Sequence, residues 1–517
     1  MKTDAPSPIP LHSLRELLEH LRSGGISHRE LIEASLAQTK RWNPHLNAII
    51  ELDEEAVIAE AQVWDDRRAR GESLPGLAGI PISIKDNLCT ATGTTSCGSR
   101  MLKEFHSPYD STVVSRLKQH GAVPFGKTNL DEFAMGGSTE TSIFGASHNP
   151  WDLHRTCGGS SGGSAASVAA GLVPASIGTD TGGSIRQPAA FCGICGIKPT
   201  YGRVSRWGLV SYASSLDVAG VFAHSIEDLA IVLQAIAGHD SKDSTSLPQP
   251  VPDYYQAAIG SNGEGNTVKP LQTVKPLQGV RIGVLREQID SSGLDSEIRS
   301  LIQDAVQELK KQGAELIDVA LPHAKYCIAA YYIIAPCEAS SNLARYDGTH
   351  YGYRSSSKDS SSLDRMIELT RSEGFGTEVQ RRILLGTFAL SAGYYDAYYL
   401  QALRVRRLIR QDYDQAFEKV DVLLGPTTPQ PPFKLGEKIN DPVQLYLQDL
   451  FTVGANLAGI PALSLPLGKS SSGLPIGMQL QAAPLGESKL LQVGGAYHRA
   501  IDYRPGLPSL AKTETAS

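Results

Sequence analysis

Apolar positions early in the chain recur at helical spacing. Leu14, Leu17, Leu18 and Leu21 lie three or four residues apart and predict an amphipathic helix that Gly24 and Gly25 end. Ser27 and Glu30 then form a capping-box pattern ahead of Leu31, Ile32, Ser35 and Leu36, and a third helix is predicted over roughly Glu54 to Arg70. Between Ala78 and Gly238 the texture changes to short apolar runs broken by glycine: Ile80 to Ile84, Ala122 to Gly126, Val173 to Gly178, Leu209 to Tyr212. Runs of that length between helical stretches predict strands of a sheet covered by helices. Ser225 to Ala237 reads as a helix closed by Gly238, and a strand over Val280 to Leu285 precedes a strongly amphipathic helix through Leu294, Ile298, Leu301, Ile302, Val306 and Leu309.

Residues 321 to 415 read as mostly helical and rich in tyrosine, while strands return at Val420 to Leu424, Ala462 to Leu467 and Ile476 to Leu480. Strands at both ends of so long a chain predict one mixed β-sheet shared by distant segments, with the central helices over one rim. The expected organisation is an N-terminal helical region (1–75) packed on the core and a single domain built from 76–258 and 280–495. An exposed insertion would lie at 259–279, where Val-Lys-Pro-Leu-Gln occurs twice, and a tail at 496–517.

The 48 Lys and Arg against 54 Asp and Glu give a net charge of -6, which excludes a basic nucleic-acid wrapper. No window approaches the run of about 18 apolar residues that a membrane span needs, and no apolar leader opens the chain. A cytoplasmic protein is the expectation, and a mature organellar chain would look the same. Seven cysteines without a paired framework fit a reducing compartment; Cys192-Gly193-Ile194-Cys195 is read either as half a metal or redox site or as two small buried residues.

Glycine changes the picture more. The 50 glycines are concentrated in part in Cys157-Gly158-Gly159-Ser160-Ser161-Gly162-Gly163-Ser164-Ala165-Ala166 and in Gly178-Thr179-Asp180-Thr181-Gly182-Gly183-Ser184-Ile185-Arg186. Glycine in the wrong place costs about 1 kcal/mol, so two such clusters imply close approach to the backbone. A phosphate loop needs a Gly-Lys-Ser/Thr ending that neither cluster supplies. An oxyanion site fits better: the amides of Thr181, Gly182, Gly183 and Ser184 could face a developing negative charge while Ser184 Oγ attacks, with side chains at 182 and 183 obstructing that approach. His106, His148 and His154 sit in polar, loop-like surroundings. Lys85, at the end of Gly79-Ile80-Pro81-Ile82-Ser83-Ile84, is the better base, provided burial keeps its amine neutral. The plainer alternative is a strand-end lysine that reaches solvent. Ser160 or Ser161 could bridge amine and nucleophile.

At these residues the chain resembles the amidase signature family of Ser-Ser-Lys hydrolases, over nearly its whole length. That resemblance implies the family's fold, an α/β structure with a large central mixed β-sheet covered by helices on both sides. It implies Lys85 as catalytic lysine, Ser160 as the serine after a cis peptide and Ser184 as nucleophile. Within the family the chain is similar to the glutaminase (A) subunits of amidotransferases acting on Glu-tRNA(Gln) and Asp-tRNA(Asn), through Gly126 to Gly136, Glu338 to Gly348, Ser372 to Phe388 and Tyr394 to Tyr399. By the same resemblance Arg382 would clamp the α-carboxylate of glutamine and Asp449 would receive its α-amine. Ammonia would pass to a B subunit, which with ATP and Mg2+ activates the misacylated tRNA, and a small C subunit would wrap the junction of a heterotrimer. This chain itself is expected to bind no cofactor and no metal. Cys157 stands where relatives place proline, and Gly137 to Thr141 and Leu216 to Val221 also depart from the pattern. The competing readings are a freestanding amidase on small amides and a non-enzymatic scaffold.

Overall fold

The computed structural model describes residues 13–260 and 275–503 (except 358, 360, 361, 439 and 440), together with 506 and 508. Eleven strands form one mixed sheet: β1 (Ile49–Glu51), β2 (Pro81–Lys85), β3 (Val123–Thr128), β6 (Ala175–Asp180), β7 (Cys195–Lys198), β8 (Val218–Ala223), β9 (Arg281–Val284), β10 (Glu315–Asp318), β11 (Val422–Pro426), β12 (Ala462–Lys469) and β13 (Pro475–Ala482). Their order is β1-β3-β2-β6-β8-β7-β12-β13-β11-β9-β10, and a separate hairpin pairs β4 (His148–Asn149) with β5 (Asp152–Thr156). β2 runs parallel to both β3 and β6, whereas β8 is antiparallel to β6 and β7, so the mixed character expected from the distant strand runs is realised.

Alternation along the strands divides the core. Ile82 and Ile84 of β2, Ile177 of β6, Val221 of β8, and Val422 and Leu424 of β11 enter one large cluster that also takes Leu14, Leu17, Ile226 and Ile302 from covering helices. The opposite face carries two clusters. Val123, Phe125 and Phe222 pack with Ile32, Trp64 and the Gly162–Ala169 helix, while Leu423 and Ala462 pack with the Cys327–Asn342, Thr377–Leu390 and Gln401–Lys419 helices. The tyrosine-rich central region therefore covers a face of the sheet rather than a rim.

The capping box at Ser27 and Glu30 is present, and Asp228 accepts the Leu14 and Arg15 amides, which fixes the first helix to the core. Several expectations are corrected. The 1–75 region is not helical throughout, because Ile49–Glu51 pairs with β3 as the edge strand. Leu209 to Tyr212 is a loop held by Val210 N–H to Asn87 O, with only a single bridge from Leu209 to Leu88. Of the 259–279 segment, 261–274 lies outside the described residues; at its end Lys275, Pro276, Gln278 and Gly279 are exposed as expected, but Leu277 is fully buried, with its amide on Gln312 O, and anchors the segment to the core. The last helix, Glu487–Ala500, runs through the expected start of the tail.

Candidate active site

β2 ends in Lys85 on the face opposite Ile82 and Ile84, and no part of Lys85 reaches solvent. That excludes the reading of a strand-end lysine extending into water. Its Nζ lies 2.7 Å from Ser160 Oγ, 2.8 Å from Ser161 Oγ and 2.9 Å from Thr179 Oγ1. These neighbours are neutral hydroxyls, and burial pulls the amine down from its ordinary value to about 7, with Asp131, Asp180 and Asp217 opposing the shift from farther away. A lysine with such an environment is available as a proton acceptor near neutrality.

The first glycine cluster shapes the loop that brings Ser160 to the amine. The Gly159–Ser160 peptide is cis. A Cβ at Gly159 would lie 2.1 Å from Asp131 Oδ2, and one at Gly163 2.5 Å from Ala48 O, so these glycines answer packing by the protein's own backbone and side chains. Gln187 ties the loop to its neighbours, accepting from Gly159 N–H (2.9 Å) and donating to Gly137 O (2.8 Å). Ser161 N–H donates to Ser184 O at 3.3 Å, which joins the two glycine-serine turns directly. Ser184 itself is 7% exposed.

The second turn is braced by Asp180, at the end of β6. Its carboxylate accepts from Gly183 N–H (2.9 Å) and Ile185 N–H (3.1 Å) and pairs with Arg186 at 3.1 Å from both Nε and Nη2. Burial opposes ionisation, but the Arg186 guanidinium overrides it and holds the carboxyl at about 2. Arg186 in turn donates to Thr452 O and Gln479 Oε1, and Asn456 donates to Asp180. Since the Gly183 amide is committed to Asp180, the oxyanion expectation narrows to the amides of Thr181, Gly182 and Ser184. The glycine requirement has a different origin too: a Cβ at 182 would meet Tyr331 OH at 2.5 Å, and one at 183 would meet Thr452 Oγ1 at 2.3 Å.

Arg382, on the Thr377–Leu390 helix, is 3% exposed and sits within 5.4 to 5.5 Å of the ring centroids of Tyr212, Tyr332 and Tyr446. Nε pairs with Glu378 (2.8 Å) and Nη1 donates to Tyr212 OH (2.8 Å). Tyr332 stacks on Tyr446 at 3.9 Å and donates its hydroxyl to Asp449 Oδ2 at 2.7 Å. Burial pushes the Asp449 carboxyl up to about 7 against the opposing pull of Tyr332 and Arg382. The two residues expected from resemblance thus share one aromatic wall, and its next residue, Tyr331, touches Gly182 of the nucleophile turn.

The residues that sequence reasoning missed are the supports: Asp131, Thr179, Asp180, Gln187, Tyr212, Tyr332, Glu378 and Tyr446. The tyrosine richness of the central region was a signal, but not one that singles out three rings. Of the departures from the family pattern, Cys157 is buried beneath Gly162, and those at 218–221 lie in β8, directly after Asp217, which keeps the pattern and accepts from Thr181 Oγ1 at 2.7 Å. All seven cysteines are free and buried; Cys192 and Cys195 enter different core clusters.

The family model described as Amidase matches residues 30–491. The chain belongs to the amidase family. It is 54% identical over 503 residues to the A subunit of glutamyl-tRNA(Gln) amidotransferase of Rhodopirellula baltica, covering 96% of this chain and 98% of that one. The crystal structure of the A subunit of glutamyl-tRNA(Gln) amidotransferase from Thermotoga maritima superposes with a TM-score of 0.77 at 38% identity, covering 96% of this chain and 97% of that one. A peptide amidase from Stenotrophomonas maltophilia superposes at 0.79 with 31% identity, over 96% and 98% of the two chains. The amidase fold thus underlies both kinds of relative, and the arrangement around Lys85 and Ser184 must be read for itself.

Proposed function

We propose that this chain is the glutaminase subunit of a tRNA-dependent amidotransferase, supplying ammonia to convert Glu-tRNA(Gln) to Gln-tRNA(Gln). The observation that carries the reading is the buried Lys85 amine at 2.7 Å from Ser160 Oγ, beside a turn that presents Ser184. Neutral Lys85 takes a proton through Ser160 as Ser184 Oγ attacks the side-chain amide carbon of glutamine. The amides of Thr181, Gly182 and Ser184 face the oxyanion. The relayed proton goes to the departing nitrogen, which leaves as ammonia, and water activated by the same relay releases glutamate from the acyl-enzyme.

The aromatic wall supports glutamine over a small neutral amide. Arg382 keeps its Nη2 edge for an α-carboxylate after Glu378 and Tyr212 take Nε and Nη1, and an incoming α-ammonium would give half-buried Asp449, which accepts from Tyr332, a direct ionic partner. Arg382→Ala is expected to raise the Michaelis constant for glutamine at least tenfold more than that for a small amide such as propionamide. Equal effects in the two steady-state assays would remove Arg382 from the clamp.

A pH profile gives a second check. Lys85 must lose its proton to act, so kcat/KM should rise with pH through about 7. Asp449 ionises over the same range and steepens the rise for glutamine. A small neutral amide, which does not use Asp449, should show the shallower limb; activity falling with pH across this range would contradict the assignment of the base.

By resemblance, ATP and Mg2+ act on a B subunit and a C subunit joins the two in a heterotrimer in the cytoplasm. Co-purification with the B–C pair encoded in the same genome and a glutaminase assay with and without ATP and misacylated tRNA test this: stimulated, coupled turnover is expected. Unstimulated turnover of diverse amides by a chain that binds no partner would establish a freestanding amidase instead.

A further inference from the structure

The Thr377–Leu390 helix buries one face and leaves a second, apolar face exposed. Val379, Arg382, Gly386 and Ala389 are buried against the site and the neighbouring Cys327–Asn342 helix, where a Cβ at Gly386 would lie 2.0 Å from Pro336 O. Leu384, Leu385 and Phe388 project outward at 69%, 45% and 49% exposure. A helix with a single core to cover has no use for the second, apolar stripe. The chain that follows extends it: Phe388 lies 4.4 Å from Tyr394 and 6.0 Å from Tyr398, ring centre to ring centre. A short π-helical stretch, Asp396–Leu400, leads into Gln401–Lys419, on which Arg404, Arg407 and Leu408 are exposed. Seven of the 17 large hydrophobic residues exposed among the described residues fall between 384 and 408. Single exposed apolar residues need no explanation, but a contiguous patch of rings and leucines does.

We infer that this patch, Leu384–Leu385–Phe388 with Tyr394 and Tyr398, is the surface on which a protein partner docks, the partner being another subunit of the amidotransferase that presents an apolar groove edged by carboxylates. The inference rests on the functional reading above, in which this chain is one subunit of several. Charge chooses the rim: 384–408 holds Arg404, Arg406 and Arg407 against the lone carboxylate Asp396, a local balance of +2 in a chain of -6. Arg406 is turned inward to Leu457 O and Ser215, so Arg404 and Arg407 supply the outward charge. A second copy of this chain would set that arginine ridge against its own image in a two-fold contact. Nucleic acid would leave the leucines wet and meet only two cations.

The test uses the full chain and an immobilised B–C pair from the same genome. L384D/F388D is expected to weaken binding at least 30-fold, while V63D, the same change at an exposed apolar residue elsewhere, leaves it within twofold. R404E/R407E is expected to slow association severalfold at low salt with little change in dissociation. Turnover of a small amide by the isolated L384D/F388D chain should match the parent and so report an intact fold. If the parent binds the pair and L384D/F388D binds equally well, or V63D is as damaging, the docking surface is wrong while the functional reading stands. If the parent does not bind the pair, both fall; loss of self-association, or of tRNA binding, in L384D/F388D alone would assign the patch to a second copy or to nucleic acid and overturn the proposal.

Discussion

Ser184→Ala and Lys85→Met are each expected to lower the glutaminase kcat by about 10⁴-fold, and the double variant by scarcely more than either alone. Attack and proton removal are one event at this site, so deleting either partner removes the whole of it, and rate losses that multiplied instead would show that Lys85 and Ser184 act in separate steps. Stability should move the other way for Lys85→Met. The folded-state value of about 7 lies below the ordinary 10.5, so at pH 7 and below the fold carries the full cost of holding this amine away from water, roughly 5 kcal/mol at about 1.4 per pH unit. That cost shrinks as pH rises from about 7 to 10.5, because over this range the unfolded chain keeps its proton while the folded one does not. Methionine leaves the hydroxyls of Ser160, Ser161 and Thr179 with one partner fewer, which offsets part of the gain. The expected result is an inactive protein whose thermal midpoint at pH 7 is no lower than the parent's. A clearly lower midpoint would mean that Lys85 is held for structure.

Asp180→Asn is expected to destabilise the protein by about 3–5 kcal/mol in chemical denaturation and to abolish activity with it, because it strands the fully buried Arg186 without a counter-charge. Asp180→Asn/Arg186→Met should recover part of the stability and none of the activity, since the nucleophile turn still lacks the carboxylate that holds the Gly183 and Ile185 amides. Acid gives the same interaction independently. The folded-state value of about 2 lies below the ordinary 3.8, so this contribution, about 2 kcal/mol, is complete above roughly pH 4 and lost as pH falls towards 2. A parent protein and Asp180→Asn with parallel stability curves from pH 5 to 2 would contradict the pairing.

What could be read from the sequence was what lay close together in it. Lys85 ends an apolar run, and the two glycine-serine clusters sit some 20 residues apart, so local composition was enough to raise an amine, a bridging hydroxyl and an attacking hydroxyl as one constellation; the match to a known family then assigned them. The wall around Arg382 was not legible in this way. Tyr212, Tyr332 and Tyr446 are separated by more than a hundred residues each, and each is an ordinary tyrosine until the helices bring their rings to one guanidinium. The strand β8 was missed because both of its faces are buried: Val218–Ala223 shows no alternation of apolar and polar positions. The role of Gly182 and Gly183 was misread for a related reason. Their lack of a side chain admits Tyr331 and Thr452, partners from 149 and 269 residues away, and no local pattern announces them.

Arg186 is made early on the ribosome, yet it depends on groups made late: Thr452 O, Asn456 and Gln479, from 266 to 293 residues further along. At about 5–20 residues per second, roughly 15–60 s of translation separate Ser184 from the strand that completes its support. A nascent chain therefore holds its nucleophile in an unfinished turn for most of its synthesis, and a product truncated before β13 would carry Lys85, Ser160 and Ser184 without the frame that makes them a catalyst.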